Sequence, residues 1–254
     1  MRLIFIRHGD PDYKADNLTE KGRREAELLA GRAARWSITK IFCSPLGRAQ
    51  ATARPLLERL GMTADTRDWL QEFYYYAADE KHRVCWDLLP EFYTAEKGFF
   101  DKDRWTETPY MKAGNVGENY EKVCRGIDGL LAEFGYKRDG MLYRTDGKKD
   151  NPNFTQERYQ LVPEKNLDED CTMVFFCHLG VMFTIIAHLT GLSPVQLWQG
   201  FFVAPASVTV LNSEERIRGK AFFRVERLGD TGHLREGGEP VSSSGYFCDV
   251  LQET

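Results

Sequence analysis

The chain has 254 residues, with 34 Lys plus Arg against 38 Asp plus Glu, a formal net charge of −4, 42% apolar residues and 28% charged residues. These values exclude a disordered chain, a collagen and a coiled coil, and the charge gives no global attraction to nucleic acid or an anionic membrane. The longest apolar runs, such as Met173–Cys177, are too short to span a bilayer. The N-terminal apolar stretch covers only Leu3 to Ile6, too short for the core of a secretion signal. Six cysteines, at 43, 85, 124, 171, 177 and 248, form neither a CxxC pair nor a dense framework. Together these features predict reduced thiols in a cytoplasmic protein, with no metal site and no cofactor.

Arg2–Ile6 reads as a buried strand. Leu18–Arg35 reads as an amphipathic helix with Thr19 as N-cap and Ala26, Leu29, Ala30 and Ala33 at helical spacing. Lys40–Cys43 is a second strand, and Leu46–Leu60 a second helix stopped by Gly61. Thr63–Arg67 reads as a third strand. Residues 69–110 then hold 12 of the 32 aromatic residues. Asn119–Phe134 is helical again, Gly135–Lys165 a polar loop or β-hairpin, Thr172–Cys177 the most apolar strand, and Gly180–Leu189 its following helix. Ser207–Leu211 and Ala221–Arg227 complete the sheet, and the Gly- and Ser-rich tail from Gly229 has the composition of a mobile end. Alternating strands and helices predict an α/β fold of three layers, α/β/α, with a mainly parallel central sheet in one domain over 1–254.

Ligands of such sheets bind at the C-terminal ends of the strands. Arg7-His8-Gly9 follows the first strand. Arg7 offers a rigid fork of donors suited to phosphate oxygens, a neutral His8 offers a nucleophilic ring nitrogen, and Gly9 allows close backbone approach. Ser44-Pro45-Leu46-Gly47-Arg48-Ala49 follows the second strand, and Arg48 lies in the first helical turn, where an anion is favoured. His178 ends the most apolar strand. Glu72 follows the third strand among aromatic residues that would raise a carboxyl pKa, with Asp79 and Glu80 as competitors. Each has a plainer reading: a turn, a surface arginine, a satisfied core histidine, a solvated carboxylate. His188 reads as structural, while His82 and His233 fall in segments with no assigned element.

In combination these residues resemble the histidine phosphatase superfamily, also called the phosphoglycerate mutase-like family. The likeness runs in order through Arg7-His8-Gly9, Leu18-Thr19-Glu20-Lys21-Gly22, Ser44 to Ala49 with Thr52-Ala53, Leu70-Gln71-Glu72, Gly117-Glu118-Asn119 with Arg125, and His178. The longer branch of that family carries Arg and Pro where this chain has Pro11 and Tyr13, so the smaller branch fits better. The resemblance implies a phosphoglycerate mutase-like fold and a metal-independent phosphomonoester hydrolase. His8 would form a phosphohistidine, Arg7, Arg48 and His178 would hold the phosphoryl oxygens, and Glu72 would serve as acid and then base. The substrate implied is a small phosphorylated metabolite or a phosphoprotein, with no nucleic acid or membrane partner.

Three departures mark this chain. Leu179 stands where the family places Gly, with Gly180 one position later, and the Leu179 N–H remains as an anion contact. Lys14 stands where many members place a phosphate-touching Asn, either replacing that contact or facing solvent. Phe73-Tyr74-Tyr75-Tyr76 replaces the Arg-His-Tyr-Gly segment of the mutases, which favours hydrolysis over mutase-type transfer. A catalytically silent phospho-ligand-binding protein is the alternative from a different class. Stretches 73–115 and 136–168 read as insertions beside the site. The first is aromatic and forms either a lid or a small accessory core. The second, with Lys137, Arg138, Arg144, Lys148, Lys149, Arg158 and Lys165, reads as a solvated excursion.

Overall fold

Strand β1 (Arg2–Arg7) sends Leu3 and Phe5 to one side and Ile4 and Ile6 to the other, all buried. A strand apolar on both faces belongs in the middle of a covered sheet. In the computed structural model, which describes residues 1–76, 84–145, 171–217 and 219–252, this is where β1 lies. A short ribbon follows, β2 (Pro11–Asp12) and β3 (Asn17–Leu18). Helix α1 (Glu20–Ala33) starts at Thr19, whose hydroxyl oxygen accepts from the Gly22 N–H, the expected N-cap. After β4 (Lys40–Cys43) comes α2 (Gly47–Leu60), closed by Gly61 in the left-handed region at φ 61°. The third strand is shorter than expected: β5 is only Asp65–Thr66, followed by a 3₁₀ turn at Asp68–Leu70.

The aromatic stretch folds into short helices, α3 (Pro90–Ala95) and α4 (Pro109–Ala113), before the long α5 (Val116–Glu133). Phe73, Phe99 and Trp105 are fully buried in the same core as Phe175, Met182 and Phe183. The described part of this insertion is therefore packing, while Tyr74 and Tyr76 stay exposed. Gly135 onward gives a hairpin of β6 (Lys137–Asp139) and β7 (Leu142–Arg144). Residues 146–170, including Lys148, Lys149, Arg158 and Lys165, lie outside the described residues, as do Asp79, Glu80 and His82. Strand β8 (Thr172–Cys177), α6 (Leu179–Thr190), α7 (Pro194–Gly200), the long β9 (Val208–Ile217) and β10 (Lys220–Asp230), and α8 (Gly232–Glu236) complete the order.

The sheet runs β5-β4-β8-β1-β9-β10-β7-β6. β5, β4, β8 and β1 are mutually parallel, and the remaining strands extend the sheet antiparallel from β1. One face packs Ile4, Ile6, Val174 and Phe176 against Leu29, Ala30 and Ala33 of α1 and Ala49, Ala53 and Leu56 of α2. The other packs Leu3, Phe5, Met173 and Phe175 against α5, α6 and the aromatic segment. The result is three layers, α/β/α. Among the described residues no helix is long and apolar enough to cross a membrane.

Candidate active site

The parallel strands end together, and their ends carry the polar residues that the strand pattern left over. His8 continues β1 and donates its backbone N–H to the Cys177 carbonyl (3.0 Å), while Ser44, just after β4, bonds Phe176 O (2.9 Å). These bonds bring the His8 and His178 rings to 5.1 Å. Both histidines are buried, at 2% and 0% exposure, and the surroundings allow only the neutral ring. For His8 the pKa falls well below the usual value through burial first and the Arg7 charge second. For His178 burial again dominates, followed by His8 and the two arginines.

Hydrogen bonding fixes the tautomer of His8. His8 Nδ1 lies 2.8 Å from its neighbour's carbonyl, Gly9 O. A carbonyl only accepts, so Nδ1 carries the proton and Nε2 keeps its lone pair. His178 Nε2 lies 2.8 Å from Ser44 Oγ, and that oxygen also accepts from the Leu46 N–H (3.2 Å). The Ser44 hydroxyl, with one proton and two lone pairs, can pair with Nε2 in either tautomer of His178. Among the described residues, His178 Nδ1, Arg7 Nε and Arg48 Nε are buried without a hydrogen-bond partner. Two arginine donors without acceptors and a second neutral histidine, near a ring with an open lone pair at the same strand ends, suit an anion next to a nucleophile.

Arg7 is held by its two terminal nitrogens. Its Nη1 donates to Val203 O (2.7 Å) and its Nη2 to Ser244 O (2.9 Å). Of the tail that composition reads as partly mobile, Ser242 to Tyr246 are docked, while Phe247 and Leu251 are exposed. The Ser242 hydroxyl donates to Asp10 Oδ1, Ser244 O receives Arg7, and Tyr246 stacks on Phe202 at 4.3 Å. Small polar residues allow backbone groups to reach the arginine, so the composition reflects close packing rather than mobility.

Glu72 reaches the site from the chain after β5. Its Oε1 accepts from Phe73 N (2.8 Å) and Val181 N (3.1 Å), the second being in the first turn of α6. Burial raises its pKa, opposed by these N–H groups and by Arg7 and Arg48. Gly180 makes the approach possible, since a Cβ there would lie 2.6 Å from Glu72 Oε1 and 2.9 Å from the Trp86 ring. The glycine displaced by one position thus admits the carboxyl, while Leu179 opens α6 and packs its side chain on the core. Gly180→Ala is expected to shift Glu72 and cut turnover of an alkyl phosphate about tenfold, measurable as kcat at saturating substrate.

The structure places Gly9 in helix packing and Lys14 on the surface. The side of Gly9 that lacks a side chain faces α1, where a Cβ would lie 2.8 Å from Gly22 O, and its N–H is committed to Thr52 Oγ1 (2.9 Å). Gly9 therefore serves helix packing and the His8 tautomer. The Lys14 side chain is exposed at the tip of the β2–β3 ribbon. The ribbon residues at the site are Tyr13, edge-on to the His8 ring at 6.5 Å and 5.5 Å from the Arg48 guanidinium, and Asp16, whose carboxylate pairs with Arg48. Arg125 is on the surface with Glu121. His188 bonds Asp128 (2.9 Å), a structural histidine as expected.

Glu25 lies behind the His8 loop, fully buried, and accepts from Asp10 N (2.7 Å), with Lys21 Nζ 3.8 Å away. Burial pushes its pKa up to about 7. The folded chain thus binds this proton more tightly than the unfolded chain. The cost of ionising it develops as pH rises from the unfolded value and is complete above about 7. Glu25→Gln keeps an acceptor for Asp10 and is expected to stabilise the fold by about 2 kcal/mol near pH 8 and by almost nothing near pH 4. Urea unfolding at the two pH values measures the difference.

The profile of the histidine phosphatase superfamily (branch 1) matches residues 3–141, more than half of the chain. The chain belongs to this superfamily. Phosphoserine phosphatase 1 of Hydrogenobacter thermophilus is 27% identical over 142 residues, 52% of this chain and 64% of that protein. The mitochondrial serine/threonine-protein phosphatase Pgam5 of Caenorhabditis elegans is 24% identical over 238 residues, 91% of this chain and 63% of that protein. The chain therefore spans under two thirds of the length of both relatives. The complex of mycobacterial glucosyl-3-phosphoglycerate phosphatase with inorganic phosphate aligns with a TM-score of 0.56 at 20% identity, covering 91% of this chain and 98% of that one. That similarity is one of fold, and it agrees with the three-layer α/β/α architecture described above.

Proposed function

We propose that this chain hydrolyses phosphomonoesters through a phosphohistidine on His8, acting on a small phosphorylated metabolite or a phosphoprotein. The observation that carries the reading is the tautomer of His8. Its Nδ1–H is committed to Gly9 O, so Nε2 presents its lone pair, while Arg7 Nε, Arg48 Nε and His178 Nδ1 are buried without partners among the described residues. The phosphoryl oxygens complete those donors. The charges of Arg7 and Arg48 and the His178 Nδ1–H stabilise the charge that spreads over the oxygens in the transition state. His178 gives a hydrogen bond rather than a full positive charge, because burial favours its neutral form.

In the first step Nε2 attacks phosphorus in line, the N–P bond forms and the P–O ester bond breaks. Glu72, kept protonated further up the pH scale by burial, gives its proton to the leaving oxygen. In the second step Glu72 takes a proton from water, the water oxygen attacks phosphorus, and the N–P bond breaks to release phosphate. Two guanidinium groups supply the positive charge for both steps, so the reading includes turnover in EDTA. Cys43, Cys85, Cys124, Cys177 and Cys248 are thiols outside any disulfide, which fits a reducing, cytoplasmic setting.

The test is phosphate release from a broad panel of phosphomonoesters in EDTA, with His8→Ala in parallel. Release from the wild type that the variant loses supports the reading. No release from any compound by the folded wild type would refute it in favour of phospho-ligand binding.

A further inference from the structure

We propose that Asp16 is a positioning residue for Arg48. From the tip of the β2–β3 ribbon its carboxylate holds one end of the guanidinium, so that the other edge faces the phosphoryl group. This inference rests on the phosphoryl-transfer reading above.

Arg48 sits on the first turn of α2 with its side chain only 11% exposed. Its Nη1 donates to Asp16 Oδ1 at 2.6 Å, while the other carboxylate oxygen, Oδ2, accepts from the Gly47 N–H at 2.6 Å. A guanidinium is planar and rigid, so fixing one terminal nitrogen in the plane fixes the direction of the Nε edge. The Tyr13 ring, 5.5 Å from the Arg48 Cζ, restrains the remaining freedom from the face. The edge that is left has Nε buried and without a partner among the described residues, available to a phosphoryl oxygen.

The ribbon tip is built for this contact. Asp16 has φ 44°, a left-handed conformation that Asp and Asn tolerate better than most residues. A Cβ on Gly47 would lie 2.1 Å from Asp16 O, so the backbone of the tip is docked on the start of α2. The carboxylate is 42% exposed on its outer side. Water there screens its repulsion of an incoming phosphate more than it weakens the direct hydrogen bond to Arg48. Asp16 therefore organises Arg48 without neutralising the site.

The experiment is a double-mutant cycle. Asp16→Ala and Asp16→Asn are made in the wild type and in Arg48→Ala. The readouts are kcat/KM on p-nitrophenyl phosphate and calorimetric binding of inorganic phosphate. Asp16→Ala is expected to lower kcat/KM about 20-fold and weaken phosphate binding about tenfold, and to add less than about twofold to either once Arg48 is gone. Asp16→Asn tolerates the same backbone and keeps an oxygen acceptor, so it is expected to lose less than Asp16→Ala in both readouts. Three results would overturn the proposal: unchanged kcat/KM in both variants, tighter phosphate binding (a carboxylate that competes with phosphate), or an equal loss with and without Arg48 (a cap of α2 and nothing more). A wild type that neither binds nor releases phosphate overturns the phosphatase reading itself, and is told apart from these by the absence of any signal to perturb.

Discussion

Replacing His8 with alanine is expected to lower phosphate release by about four orders of magnitude or more, on every substrate the wild type accepts. The expectation follows from the lack of a second nucleophile in the site among the described residues. The His178 ring is the neighbouring imidazole, 5.1 Å away, and its Nε2 is engaged with Ser44 Oγ. Cys177 and Cys43 are buried close by, but burial raises the first thiol well above its usual pKa and pushes the second to about 12. Neither is a thiolate near neutral pH. The variant should still bind inorganic phosphate, because Arg7 Nε and Arg48 Nε remain. Steady-state phosphate release and calorimetry on the same preparation separate the two properties.

Glu72→Gln is the second large effect, and its size should depend on the leaving group. An alkyl alkoxide is a poor leaving group, so loss of the general acid should cost about 10² to 10⁴ in kcat on an alkyl phosphate. For p-nitrophenyl phosphate, whose leaving oxygen needs little help, formation of phosphohistidine should slow only a few-fold. A pre-steady-state burst of p-nitrophenol followed by slow turnover should appear, since the amide of the variant cannot take the proton from water in the second step. The pH profile follows from the same carboxyl. Burial raises its pKa and so keeps the acid form present further up the scale. Alkyl phosphate turnover should fall as pH rises through that raised value. On the acid side His8 stays neutral below its ordinary range, because burial and then Arg7 depress its pKa. The acid limb should therefore lie well below the usual histidine titration. Equal slowing of the first step, phosphohistidine formation, on both substrates would assign the proton transfer to another group.

Some of this architecture is legible in the sequence for clear reasons. Thr19 and Gly61 mark helix ends because their side-chain oxygen and missing Cβ act within a few residues. The alternation in β1 and the apolar run of β8 identify buried strands, and strands buried on both faces imply the three layers and the position of the strand ends. Arg7, His8 and His178 stand out as polar residues immediately after such strands. The parts that were not legible depend on partners distant in sequence. Gly9 and Gly180 look alike as residues, yet one makes room for α1 and the other for Glu72. Lys14 and Asp16 are two residues apart on one ribbon, and only the left-handed turn at Asp16 decides which of them meets Arg48. The restraint on Arg7 comes from the Val203 and Ser244 carbonyls, which any residue type could supply, so no residue signal marks it. Composition misleads for the tail because Gly and Ser permit close docking as readily as motion.

Trapping the covalent intermediate tests the central claim most directly. The wild type, mixed with a ³²P-labelled phosphomonoester found to be turned over, is quenched in alkali within a single turnover and digested for mass spectrometry. The account predicts a phosphoryl group on the His8 ring, stable to alkali and lost in acid, and no label in His8→Ala. Label on any other residue, or turnover with no label at any time, would contradict it.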